Sequence, residues 1–240
     1  MDLHDAGTSS RYLEGDYLQA NPDWHESDAP WKVAQITRLL ARNPLACTSF
    51  CDVGCGTGLA TTLLKDVFPG ARGDGYEFSP VAYALAAKRA GPDLNFHNGS
   101  PFEEGTVFDV AVSLDVLEHV PNAFDFVRGM ARVGRHVILH IPLDMNALSV
   151  LREWPILAAR RDIGHLHYFT RGTALELLRE CELEIVDELY TPWAIDQSEK
   201  SWKKRLAAWP RRLAFAASPH LTVRAIGGWS LLVLARSKLA

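Results

Sequence analysis

No stretch of this 240-residue chain stays apolar for the roughly 20 residues needed to cross a bilayer. Residues Met1 to Arg11 are polar, so no signal peptide is expected either. Cysteine is scarce. Cys47, Cys51 and Cys55 crowd one short segment and Cys181 stands apart. That is not a disulfide framework, its spacing does not fit the usual zinc pairs, and a reducing interior is its simplest setting. Positive charge is not in excess: 25 Lys and Arg face 29 Asp and Glu, a net charge of −4. This argues against a general nucleic-acid coat but not against a local basic patch. Internal repeats and low-complexity linkers are missing too. The expectation is a soluble, cytoplasmic protein.

What is there suits a globular α/β protein, with 48% hydrophobic and 22% charged residues. Ser27 or Asp28 can cap a helix with Pro30 in its first turn, and Val33, Ile36, Leu39 and Leu40 share a face until Asn43-Pro44. From there strands and helices alternate. Strands are expected at Ser49–Val53, Gly73–Phe78, Leu94–His97, Phe108–Leu114 and His136–Ile141. Helices are expected at Leu59–Val67, from Ser79-Pro80 to Ala90, and over Pro121–Val133. This rhythm implies βαβ units on a parallel sheet, and the unbroken apolar run of Phe108–Leu114 fits a strand buried on both faces. Past Pro142 the rhythm loosens. One helix is expected over Asn146–Arg160, a Thr170-capped helix to Cys181, strands at Leu183–Tyr190 and Trp229–Ala235, and a basic helix over Ser198–Ala217. The chain reads as one domain, 1–240. Residues 1–44 form an N-terminal helical lid, and 45–240 a core with insertions at 142–169 and 191–226.

Chemistry concentrates at three strand ends. The first is Asp52-Val53-Gly54-Cys55-Gly56-Thr57-Gly58. Glycines allow a tight turn and close approach of a ligand to the main chain, and parallel sheets bind ligands at the carboxyl ends of their strands. The spacing is G-x-G-x-G rather than the dinucleotide G-x-G-x-x-G, and Asp52 suits a cationic ligand better than a pyrophosphate. A glycine turn with only a packing role is the competing reading. The second is Glu77, 19 residues after Gly58, placed to accept hydrogen bonds from ribose hydroxyls. The third is Leu114-Asp115-Val116-Leu117-Glu118-His119-Val120, which brings two carboxylates and an imidazole to one edge.

In this order and spacing, the Asp52–Gly58 loop, Glu77, Phe108-Asp109 and Asp115–Val120 resemble class I S-adenosylmethionine (SAM)-dependent methyltransferases. They are most similar to the small-molecule and ubiquinone-type group, and Gly164–Thr170 resembles a segment those proteins carry before the penultimate strand. The resemblance covers residues 48–190 and the final strand. It implies a Rossmann-like, seven-stranded, mostly parallel sheet whose last strand runs antiparallel, with SAM as cofactor. Asp52, Gly54, Cys55, Gly56, Gly58, Glu77, Phe78, Leu114 and Asp115 would line its site. Where the family often has an acidic residue near the adenine this chain reads His97-Asn98-Gly99-Ser100, so Asn98 or Ser100 would serve.

Methyl transfer to a hydroxyl needs a base, and His119, His165 and His167 are the candidates. Each could instead only hold its loop. The resemblance also implies a possible divalent cation at Asp115, Glu118, His119 and His165, as in members that methylate vicinal hydroxyls. Tyr12, Tyr17, Trp24 and Trp31 could wall the acceptor pocket or pack the extra helix. Lys200, Lys203, Lys204, Arg205, Arg211 and Arg212, interleaved with Trp202, Leu206 and Trp209, could make peripheral membrane contact, touch an anionic substrate, or be a solvated helix face. The activity expected is O-methylation of a small-molecule or saccharide acceptor. The rivals are a SAM-binding partner or regulator without turnover and a nicotinamide-dependent oxidoreductase.

Overall fold

The computed structural model describes residues 26–196 and 202–240. Seven strands, β1 (Ser49–Val53), β2 (Arg72–Glu77), β3 (Leu94–Asn98), β4 (Phe108–Leu114), β5 (Gly134–Pro142), β6 (Leu183–Thr191) and β7 (Ser230–Ser237), form one sheet in the order β3-β2-β1-β4-β5-β7-β6. The pairings from β3 through β5 are parallel. β7 lies antiparallel between β5 and β6, as expected of the last strand. Strand order reverses between β1 and β4, which opens a crevice at their carboxyl ends where such sheets take ligands.

One face of the sheet carries α1 (Ala29–Arg42), α2 (Leu59–Val67) and α3 (Pro80–Ala86). The other carries α4 (Ala123–Val133) and α7 (Arg171–Glu180), the latter opened by a Thr170–Thr173 capping box. Val110, Ala111 and Val112 of β4 are fully buried, as a strand covered on both faces requires. Gly73 and Gly75 give β2 its composition. A Cβ at Gly73 would lie 2.5 Å from the Phe50 ring, and one at Gly75 would lie 2.6 Å from Phe96. Glycine at alternate positions lets two aromatic rings lie flat on one face.

The described part of the segment expected to form a lid, α1, packs in the helical layer of the sheet. Ile36 and Leu39 are fully buried against Phe50, Leu64 and Ile138, and only its first turn reaches the carboxyl edge. The single helix over Asn146–Arg160 is broken into α5 (Ala147–Arg152) and α6 (Trp154–Ala158), followed by a π-turn at Ala159–Ile163. Pro155 cannot donate a backbone hydrogen bond and its ring would strike the carbonyl of Leu151, so the chain turns at Glu153, which adopts φ +59°. Between the basic helix, here α9 (Trp202–Ala217), and β7 lies a further helix, α10 (Pro219–Ile226), with Pro219 in its first turn. The short α8 (Trp193–Asp196) precedes α9. No described helix is long and apolar enough to cross a membrane.

Tyr12, Tyr17, Trp24 and Lys200 lie outside the described residues, as do the side chains of Trp202, Lys203, Lys204, Arg205 and Leu206. The membrane reading of residues 200–212 therefore rests here only on Trp209, which is exposed, and on the half-buried Arg211 and Arg212.

Candidate active site

The glycine loop leaves β1 with Gly54, Gly56 and Gly58 at φ +79°, +57° and +81°, all in the region L side chains avoid. Their surroundings differ. A Cβ at Gly54 would meet Val116 at 2.5 Å and one at Gly58 would meet Phe96 at 2.6 Å, whereas at Gly56 it would meet nothing within 4 Å. Gly56 is thus the open floor of the loop, and the outer two glycines are held by packing. The Gly56 N–H donates to one oxygen of Glu77 at 2.8 Å, and the Ser79 N–H donates to the other at 2.8 Å. These bonds fix the Glu77 carboxylate at the end of β2. Beneath the loop Asp52 accepts from Thr61 Oγ1 at 2.7 Å. Burial pushes the Asp52 pKa up to about 6 and raises that of Glu77 as well. Two desolvated carboxylates beside an open backbone floor favour a cationic ligand bearing hydroxyls. The residues present therefore fit SAM, with its sulfonium, ammonium and ribose.

The other proposed cofactor residues lie along the same edge. Cys55 is buried against Ala86 and Phe96, and Phe78 and Leu114 are half-buried. Asn98 donates its side-chain amide to the carbonyls of Glu77 (2.8 Å) and Phe78 (3.3 Å), and Ser100 Oγ accepts from the Phe102 N–H. Both brace the loop that follows β3.

Past β4, Asp115 adopts φ +57°. Its carboxylate pairs with Lys32 Nζ at 2.6 Å and with His140 Nδ1 at 2.6 Å, while His140 Nε2 meets Thr191 Oγ1 at 2.8 Å. The edge of Trp31 rests on the His140 ring. Burial works against the Asp115 charge, but His140 and Lys32 outweigh it and hold the pKa well below the usual carboxylate range. Asp115 is therefore engaged away from the proposed metal ligands.

Those ligands do converge without it. Glu118, His119 and His165 each bring one donor atom within 4.8 Å of the others. Both carboxylate oxygens of Glu118 are buried without a hydrogen-bond partner, and burial drives its pKa well up. The His119 ring packs edge-on against His165 at 4.8 Å between centroids, and its Nε2 lies 3.8 Å from Glu118. His165 Nδ1 is held by Asp144 at 2.6 Å. The carboxylate fixes the proton on Nδ1 and leaves Nε2 with a lone pair. His167 lies outside this group: its Nε2 donates to the Val120 carbonyl at 2.8 Å. Its backbone N–H and that of Leu166 donate to the Glu118 carbonyl, which straps the Gly164–Thr170 segment to the β4 edge.

Known proteins bear on this geometry. Residues 24–188, more than half of the chain, match the family model described as a methyltransferase domain. The chain belongs to the methyltransferase domain family. Its domain has the fold of class I SAM-dependent methyltransferases. Over 162 residues it is 33% identical to a trans-aconitate 2-methyltransferase from Deinococcus radiodurans, covering 64% of this chain and 61% of that protein. The match thus spans less than two thirds of the relative's length. By fold the methyltransferase is similar to a chain from the complex of the Trm112 methyltransferase activator of Haloferax volcanii (TM-score 0.63, 18% identity, 92% of this chain and 96% of that one). It is also similar to the magnesium protoporphyrin IX methyltransferase of Synechocystis PCC 6803, solved with bound SAH (TM-score 0.58, 18% identity, 92% and 86% covered).

Four residues of the methyltransferase's site were not singled out from sequence: Lys32, His140, Thr191 and Asp144. His140 carries a signal, a lone imidazole in the apolar run Val137-Ile138-Leu139-His140-Ile141. The others carry none, because their partners lie 21 to 83 residues away in the chain.

Proposed function

We propose that this methyltransferase transfers the SAM methyl group to an oxygen of a small-molecule acceptor, with His165 as the general base. The Asp144–His165 pair, 2.6 Å apart beside Glu118 and His119 at the carboxyl edge, carries this reading. SAM, when bound, supplies an electrophilic methyl group. The protein must then hold the acceptor oxygen about 3 Å from that carbon and take its proton. His165 Nε2 has the lone pair to take it, and Asp144 stabilises the imidazolium that results. Burial pushes the Glu118 carboxyl towards its neutral form, which lessens the charge opposing acceptor ionisation. His119 closes the group against water. The relative named for trans-aconitate supports a small-molecule acceptor; a saccharide acceptor finds no particular support.

The test is methyl transfer from labelled SAM to a small-molecule extract, followed by location of the label. Label on oxygen, with turnover lost in His165→Asn and kept in His167→Asn, is expected. Label on nitrogen or carbon would overturn the oxygen assignment, and SAM binding without any turnover would favour a partner or regulator. A second reading adds a divalent cation, favoured by the two unpartnered Glu118 oxygens facing two imidazoles. Glu118, His119 and His165 would hold it, and its Lewis acidity would lower the acceptor's pKa. Full turnover after exhaustive chelation removes that reading.

A further inference from the structure

Where the two inserted segments meet, past the carboxyl ends of β5 and the start of β7, lies a cavity of about 290 Å³. Its apolar walls come from Leu148, Trp154 and Ile226. Two guanidinium groups, Arg152 from α5 and Arg211 from α9, line it, and among the described residues neither is engaged in an ion pair or hydrogen bond. The carboxylate in the wall, Asp144, is already held by His165. The cavity is also built. Asn146 is buried and caps α5 through the Ser149 N–H at 3.0 Å. A Cβ at Gly227, where φ is +64°, would lie 2.3 Å from the Asn146 amide, so the two inserted segments lock together there.

We infer that this cavity receives the methyl acceptor, and that the acceptor carries an oxyanion, carboxylate or phosphate, on a small apolar body. The inference rests on the methyltransferase reading and deepens it. Arg152 is exposed and Arg211 half-buried, so both are hydrated without a ligand, and two unpaired guanidiniums converging on one recess can grip an anion by forked, charge-assisted hydrogen bonds. Its volume lies near the lower end of small-molecule sites, about 300 Å³. Asp144 connects it to the chemistry, since one side chain both lines the cavity and orients His165. An anion held by Arg152 and Arg211 would place the rest of the acceptor against the Asp144 wall, next to the base.

The experiment uses full-length, SAH-loaded protein and three probes sharing one ring: benzoate, phenyl phosphate and neutral benzamide. Amide shift changes at residues 147–154, 156, 227 and 228 report binding. At least one anion is expected to shift them and to bind about tenfold or more tightly than benzamide. Arg152→Gln combined with Arg211→Gln should erase that preference while SAH affinity stays unchanged. The better of benzoate and phenyl phosphate identifies the anion. No shift with either anion, equal binding of benzamide, or indifference to the arginine changes would overturn the inference. The two readings fail separately. Loss of SAH binding in the same samples counts against the methyltransferase reading, whereas SAH binding without anion binding counts only against the cavity assignment.

Discussion

Asp52 illustrates how a buried carboxylate can be tuned for a cation. Its folded pKa of about 6 lies above an ordinary aspartate's because burial penalises its charge more than the Thr61 hydroxyl supports it. A raised carboxylate pKa costs stability as pH climbs from the unfolded value to the folded one, so Asp52 weakens the fold progressively up to about pH 6 and by a constant amount above it. A bound cation reverses the preference and favours the ionised form. SAM affinity is therefore expected to fall about tenfold per pH unit below pH 6, and Asp52→Asn should flatten that dependence; calorimetry between pH 5 and 7.5 checks it. His165→Asn should lower kcat by roughly 10²- to 10⁴-fold and leave SAH affinity intact. Asp144→Asn should cost less than His165→Asn and shift the pH profile of kcat, which a structural role would not do. At this scale the sequence showed residues that carry their own signal, such as Asp52 before its glycines and Glu77 at a strand end. Lys32 and Asp144 were hidden because a lysine on a helix and an aspartate in a loop are unremarkable until the fold supplies Asp115 and His165.

At the scale of elements, side-chain period did most of the specifying. β1, β4 and α2 begin and end where their apolar patterns do. The pattern failed where one local rule overrode it, as at Pro155, which splits an otherwise helical stretch into α5 and α6. β2 shows a different limit. Glycine-rich strands look weak from propensity, yet Gly73 is required by the Phe50 ring 2.5 Å from where its Cβ would sit. Gly73→Ala should destabilise the protein by about 1–3 kcal/mol through overpacking, and Gly73→Ala with Phe50→Leu should be less destabilised than the sum of the two single changes. Urea unfolding of the three variants measures this. Additive effects would mean that the contact does not limit the strand.

For the molecule as a whole, the strand order reverses between β1 and β4, where such sheets take ligands, and the segments after β5 and β6 line the recess proposed for the acceptor. α1 reaches the carboxyl edge through Lys32, whose ammonium pairs with Asp115, 83 residues further along the chain. Removing one member of such a pair leaves a desolvated charge, so Lys32→Met should cost about 3 kcal/mol. Asp115→Asn in that background should recover part of the loss, since asparagine tolerates the left-handed backbone at this position. The layered sheet was legible from alternating strands and helices. The layer position of α1 was not, because an amphipathic helix shows that it buries a face but not which surface covers it.

The most direct test of the central claim is calorimetric titration of the folded protein with SAM, SAH and NADH. Micromolar binding of SAM and SAH, without NADH binding, is predicted. Failure of both to bind while the protein is demonstrably folded, or preferential binding of NADH, would contradict it.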